Sequence, residues 1–378
     1  MTGAFLSAVS RSIMLIMRHT VLPSASTRRL AFRPAGNWLR KHYWYAAAAA
    51  LVLLILNELY LYGTHLRRWD WLLVTGWVTF LVAFRATFLL PYKVDEVLTR
   101  LAASQVLSGG EEGLDSFRRE MHIRARRAAR TGGLIVAAVI VLGWIVAYRS
   151  ALAPHFLTLI LEAAGAFLAG SFIGRAVSYS QLGQRLERQK FTIKVNPEHL
   201  DRVAGLRPVG RLYFFQSALV AIPGAFLAVW WFVIPLLGGR YSNWRGVYAG
   251  LLVFVIACEF FAFLAPMWSF HRIMNKGKEE LLDEADHISD QAAQIQKELL
   301  GSGSESDIAQ LEDKLGRLTK RYQAIVQMPT WPVDTTIRRR FAVNNLLLFV
   351  PVVAQVLGAP GSVQNLLDNV QKVFTGQG

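Results

Sequence analysis

Four ionisable side chains stand inside long apolar runs: Glu58, Arg85, Glu162 and Glu259. A charge in a bilayer core costs about 2.5–3.5 kcal/mol on insertion scales, so such residues face protein or water and mark pathways or buried pairs. At about 1.5 Å per helical residue, Glu58 and Glu162 lie roughly 8–9 Å below the outer surface. The same count puts Arg85 about 24 Å and Glu259 about 20 Å deep. Two chemistries follow. The outer carboxylates would concentrate cations at a mouth. Arg85 and Glu259 would form a buried ion pair that fixes the bundle, or else leave Arg85 in a pathway.

Two further groups carry polar chemistry. Asn344, Leu348, Pro351 and Gln355 share one helical face, a stripe that lines a pore or hydrogen-bonds to other spans. In a Pro- and Gly-bounded loop stand Pro197, His199, Asp201 and Gly205. His199 and Asp201 fall short of the three or four ligands of a metal site. Bonding to the loop backbone and capping a short turn is the commoner use of such residues. The chain has no phosphate loop, nucleophile elbow, metalloprotease helix or kinase set. The expectation is a protein that is not an enzyme and holds no metal or cofactor. Its one cysteine, Cys258, sits in an apolar run, so no intrachain disulfide forms and the thiol packs as a small apolar group.

The elements that position these residues are membrane spans. A span takes about 20 mostly apolar residues. Seven runs qualify: 43–63, 69–91, 131–149, 156–177, 212–237, 246–268 and 341–358. The seventh is about 18 residues long and contains Asn344, Asn345, Pro351 and Gln355, so it either crosses or forms a re-entrant or buried segment. Trp44, Trp69, Trp71, Trp244 and Trp268 fall at span ends, where amphipathic rings prefer the headgroups. In the fourth span Glu162 lies on a stripe with Ala166, Gly170 and Gly174. Small residues at that spacing let helices approach closely, so Glu162 faces a neighbouring helix or a cavity.

Charge orients the bundle. Of 41 Lys and Arg residues, 34 fall in blocks 1–42, 93–130, 175–211 and 269–340, and five in the loops on the opposite side. The four blocks are therefore cytoplasmic, the N-terminus is inside, and seven crossings put the C-terminus outside. Net charge of +15 and a pI near 10.2 would suggest nucleic acid in a soluble protein. Here they reflect positive-inside bias and attraction to anionic headgroups, so the partner is the lipid bilayer and not nucleic acid.

The organisation is a basic N-terminal segment 1–42, a six-span bundle 43–268 with connections 93–130 and 178–211, a hairpin 269–340, and a last span with tail 341–378. Segment 1–42 is acid-free. It is an amphipathic cytoplasmic start with Phe5, Val9, Ile13 and Ile16 on one face, or a mitochondrial presequence. Connection 93–130 reads as two helices broken at Ser108-Gly109-Gly110. In 178–211, Gln184–Gln189 reads as helix and Phe191–Val195 as extended chain. In 269–340, Leu281, Ala285, Ile288, Ala292, Ile295 and Leu299 keep heptad spacing, as do Ile308, Leu311, Leu315, Leu318, Tyr322 and Ile325 after a Gly/Ser tip. This predicts an antiparallel coiled-coil hairpin that extends the sixth span, serving as an intramolecular stalk or an oligomer contact.

Pro197, His199, Asp201, Gly205, Leu206 and Gly210 resemble a His-x-Asp…Gly-Leu loop found before a span in a family of uncharacterised bacterial multi-pass membrane proteins. Met328-Pro329-Thr330-Trp331-Pro332-Val333-Asp334 is similar to another stretch of that family. The resemblance implies a bacterial inner membrane, with a mitochondrial membrane as the alternative, and no known activity. The layout alone, with seven spans and a long sixth helix reaching inward, resembles that of insect chemoreceptor channels.

The fold expectation is an all-α polytopic bundle of seven transmembrane helices with cytoplasmic helical hairpins. The function expectation is a homo-oligomeric channel for small ions, cations favoured, with Glu58, Glu162, Asn344 and Gln355 on the pathway. The alternative is a non-conducting scaffold or signalling protein acting through its hairpins. A transporter is third, for no inverted repeat or paired broken helices stand out. The sequence names no small-molecule ligand. Terminal tags probed in intact cells should find the N-terminus protected and the C-terminus accessible. A protected C-terminus would mean that 341–358 does not cross.

Overall fold

In lipid a backbone must satisfy its own hydrogen bonds, and a helix does so within one segment. The chain is accordingly almost all helix. The computed structural model describes residues 42–64, 69–108, 111–147, 155–189, 191–234, 241, 245–301 and 305–356, so the readings of the N-terminal segment, the loop tips and the C-terminal tail lie outside the described residues. The helices are α1 (Tyr43–Gly63), α2 (Trp71–Thr87), α3 (Leu90–Ala103), α4 (Glu111–Ala147), α5 (Phe156–Ser180), α6 (Leu182–Arg188), α7 (Arg207–Val233), α8 (Arg245–Gly301), α9 (Glu305–Val326) and α10 (Thr335–Val356). Two short strands, β1 (Leu107–Ser108) and β2 (Thr192–Ile193), pair antiparallel.

Among the described residues, six helical stretches are long and apolar enough to cross a membrane: Tyr43–Gly63, Trp71–Ala103, Glu112–Val146, Phe156–Ser180, Arg207–Trp231 and Tyr248–Leu300. They match the first six expected spans. The expected seventh, within α10, is not among them. Arg338, Arg339 and Arg340, followed by Asn344 and Asn345, dilute the apolar character of its first half.

Helix α7 is the centre of the bundle. Of its apolar stretch 61 % is buried, against 11–28 % for the other five. It packs against α8, α10, α2 and α3. Its contacts sort by face. Phe226 and Trp230 meet Gly76 and Thr75 of α2, while Gly224 meets Val255 of α8 and Leu348 of α10. The most extensive helix contact lies elsewhere, between α4 and α5. A Cβ on Gly174 would stand 2.0 Å from the Ala128 carbonyl oxygen, and one on Gly170 would stand 2.3 Å from that of Gly132. The Gly170 and Gly174 part of the stripe expected to face a neighbour does so, and its partner surface is Ala128, Ala129, Gly132 and Val136.

The long basic connections are not separate loops. They build one apolar core beneath the spans. Leu98 and Leu101 of α3, Phe117 and Met121 of α4, Leu182 and Leu186 of α6, Tyr213 of α7, Phe270 and Met274 of α8, and Val333 before α10 all belong to it. The extended segment expected at Phe191–Val195 contains β2. It pairs with β1 from the other connection, Leu107 opposite Ile193 and Ser108 opposite Thr192. That partner is not legible in the sequence, because two residues carry no readable alternation. Helix α3 begins at Leu90, with Pro91 in its first turn where a missing N–H costs nothing.

Helix α8 runs unbroken for 57 residues, about 86 Å at the helical rise. Helix α9 folds back on it. Leu281, Ala285 and Ile288 of α8 pack with Leu318 and Ile325 of α9, and Glu284 binds Arg321 through Nε at 3.1 Å and Nη2 at 3.3 Å. This hydrogen-bonded carboxylate holds the Arg321 proton more tightly, against the opposing effect of burial. Lys278 Nζ donates to the carbonyls of Val326 and Met328 at 2.9 and 3.0 Å, covering the exposed acceptors at the end of α9.

The α4–α5 crossing leaves no room for a side chain at residue 174. Gly174→Leu should separate the two helices and lower the thermal unfolding midpoint of the purified protein by several degrees. Gly143→Leu, where nothing lies within 4 Å, is the matched control and should leave the midpoint in place.

Candidate functional site at the base of the bundle

The first turn of α7 needs acceptors for its free amides; the Leu206 carbonyl takes those of Val209 and Gly210, but the Leu206 side chain offers none for Arg207. Asp201, six residues before the helix, takes that role. Its Oδ1 accepts from the amides of Val203 at 3.0 Å and Gly205 at 2.9 Å, and its Oδ2 accepts from that of Arg207 at 3.1 Å. His199 Nδ1 lies 3.0 Å from Asp201 Oδ1. The loop turns tightly enough that Arg202, Ala204 and Gly205 adopt positive φ. Gly205, at φ 89°, sits where a Cβ would meet Val106 Cγ2 at 2.3 Å. Residues 197–205 thus form a backbone-binding cap. Among the described residues, no group of three or more His, Cys, Asp and Glu side chains could hold a metal ion.

The cap joins the segment that precedes α10. Arg207 Nε lies 2.6 Å from Asp334 Oδ2. Asp334 Oδ1 in turn accepts from the Ile337 amide at 2.7 Å and caps α10. Gly210 lets α7 approach Pro332, whose carbonyl oxygen would stand 2.2 Å from an added Cβ. On the other side, Trp331 stacks on His271 of α8 at 4.4 Å between ring centres, and His271 Nδ1 is 2.7 Å from the Thr330 carbonyl oxygen. Arg321 of α9 reaches back to Glu198 of the cap loop at 3.4 Å. Two loop segments far apart along the chain therefore meet around the start of α7, with the base of the α8–α9 hairpin against both.

The other candidate residues are placed as follows. Glu58 is buried and its Oε2 accepts from the Asp70 amide at 3.0 Å, joining α1 to the start of α2. Glu162 Oε2 accepts from Trp144 Nε1 at 2.6 Å, joining α5 to α4. The structure does not bring Arg85 and Glu259 together. The Arg85 guanidinium lies 5.9 Å over the Tyr43 ring, and Glu259 Oε1 faces Asn345 Nδ2 of α10 at 3.4 Å. The reason is azimuth. Helices α2 and α8 pack on different faces of α7, and equal depth says nothing about facing. Helix α10 carries Asn344 and Gln355, but the side chains of both lie outside the described residues.

Sequence reasoning misses several buried polar groups, and one of them links three helices. His122 of α4 has Nδ1 2.8 Å from the Tyr179 hydroxyl and Nε2 2.8 Å from Asp95 Oδ1, linking α3, α4 and α5 inside the basal core. Its members sit on three helices with no mutual spacing to betray them. A shallow opening of about 430 Å³ is lined by Gln184, Glu187, Arg188 and Arg272.

No family model matches the chain, and no curated protein or solved structure matches it.

Asp201 is the test of the cap. Hydrogen bonds to a charged group contribute about 1.5–3 kcal/mol each but do not add in full when they share one carboxylate, so Asp201→Ala should lower stability by roughly 2–4 kcal/mol. His199→Ala, which leaves the three amide bonds in place, should cost well under half of that. Chemical denaturation of both variants in detergent gives the comparison.

Proposed function

We propose that this chain is a membrane scaffold or signalling protein that works through its cytoplasmic α8–α9 hairpin. The observation that carries this reading is the uninterrupted path of α8 from the apolar bundle into the hairpin. The cap loop then links that hairpin to the central helix. A displacement of α9 would act on Glu198 through Arg321, and residues 198–207 lead directly into α7. Segment 328–334 offers a parallel route into α10. Under this reading, the orientation expected from the basic blocks puts the hairpin in the cytoplasm.

A second reading is a homo-oligomeric cation channel. One observation favours it: α10 rises along α7 from Gly210 near Ile337 to Gly224 near Leu348, and carries Asn345 against Glu259. Continued at the same pitch, α10 would reach the outer level as a seventh crossing and could stand at a subunit axis. Against it, Glu58 and Glu162 are engaged in contacts between helices, a use that needs no vestibule.

Hydrogen exchange on the full chain in nanodiscs tests the coupling. Arg321→Ala should raise exchange in 196–206 as well as in α9. A rise confined to α9 would sink the proposed route. Planar-bilayer recording from wild-type protein decides between the readings: a reproducible unitary cation current would favour the channel, and a silent bilayer the scaffold.

A further inference from the structure

Arg207 and Arg211 stand one turn apart on α7, at the end of the helix where its apolar stretch begins. Arg340 lies immediately before Phe341 on α10, which passes α7 where Gly210 meets Ile337, and Arg100 lies on α3, which also packs on α7. Arg207, Arg100 and Arg340 all lie close enough for their charges to bear on Arg211, and Asp334 is the one acid in that set. Asp334 is already occupied by Arg207 and by the Ile337 amide. Arg100 is held by Glu96 at 2.5 Å. Arg211 and Arg340 remain. Both are exposed, and neither has a hydrogen bond or ion pair among the described residues. Gathering four guanidiniums with so little compensation is costly unless an anion joins them.

We propose that Arg211 and Arg340, backed by Arg207 and Arg100, form a binding site for the phosphate of an anionic lipid headgroup. The chemistry is that of guanidinium and phosphate, which match in planar, two-pronged hydrogen bonding. The position favours a lipid over a soluble anion. Arg211 directly precedes Leu212 and Arg340 directly precedes Phe341, so both heads stand at the boundary between apolar helix and basic core, where the headgroups of the leaflet on the basic side lie. Basic pockets between spans on that side are suited to anionic headgroups. The neighbouring apolar faces of α7 and α10 would accept the acyl chains. The inference stands independently of the scaffold and channel readings.

The test uses full-length protein, delipidated in a neutral detergent, with phosphatidylglycerol, phosphatidylcholine and inorganic phosphate as probes. Bound lipid is counted by native mass spectrometry, and the shift in unfolding temperature is recorded alongside. The wild type should retain phosphatidylglycerol and gain thermal stability from it, and should do neither with phosphatidylcholine. The double variant Arg211→Gln/Arg340→Gln should bind phosphatidylglycerol about tenfold more weakly, as expected for the loss of one strong charge-assisted contact. Arg211→Lys/Arg340→Lys keeps the charge, folds in the same surroundings, and should fall between the two. The control Arg188→Gln/Arg272→Gln removes the same charge elsewhere on the basic side and should bind as the wild type does. Equal loss in the control would show a diffuse field instead of a site and overturn the proposal. So would equal retention of phosphatidylcholine, or protection by inorganic phosphate as strong as that by the lipid.

Discussion

A helix that starts inside protein must find acceptors for its first amides, and the whole base of this molecule is arranged around that need at α7. The Leu206 carbonyl takes the amides of Val209 and Gly210, but its side chain cannot serve that of Arg207, so the chain bends back through three positive-φ residues until Asp201 reaches Arg207 together with the loop amides of Val203 and Gly205. With the helix start held, Arg207 points at Asp334, and Asp334 caps α10. Two helix starts are thereby fastened by two carboxylates. Helix α7 is also the most buried of the apolar helices, with α2 packed on one face and α8 and α10 meeting at Gly224 on another.

Within the bundle, polar side chains act as fasteners between helices. Lipid tails are as apolar as leucine, so helices in a membrane associate through close packing and hydrogen bonds instead of the hydrophobic effect. Both devices are present. Gly170 and Gly174 bring α5 against the backbone of α4. Asn57 Nδ2 donates to Thr158 Oγ1 at 3.0 Å between α1 and α5, and Trp230 Nε1 to Thr75 Oγ1 at 3.1 Å between α7 and α2. Glu58, Glu162 and Glu259 fit the same pattern. Each of these acids is held in a contact between helices or between a helix and its neighbouring segment.

That side holds a core of its own. Side chains from α3, α4, α6, α7, α8 and the segment before α10 close around Tyr179, Tyr213 and Phe270, and the His122 network crosses it. The α8–α9 hairpin grows out of this core as a continuation of an apolar helix. The base of the hairpin is therefore packed against side chains of this core, and the cap loop lies between it and the start of α7.

Features that depend on local composition and period are legible along the chain. Six apolar helices of spanning length, the helical hairpin within 269–340, the helix near Gln184, the extended segment around Ile193 and the close-packing stripe in α5 all follow from runs and spacings. A helix or a span is a property of consecutive residues. Position along a helix follows too, since rise per residue is constant. Azimuth does not. Arg85 and Glu259 were expected at similar depths and face different neighbours, for rotation about each helix is set by packing against α7. The same holds for the pairing of β1 with β2, the meeting of Asp95, His122 and Tyr179, the collection of the basic connections into one core, and the junction of Asp201 with Arg207 and Asp334. Each joins residues far apart along the chain, and only the tertiary structure decided them, because the contact energy that selects such partners does not exist until the helices have met.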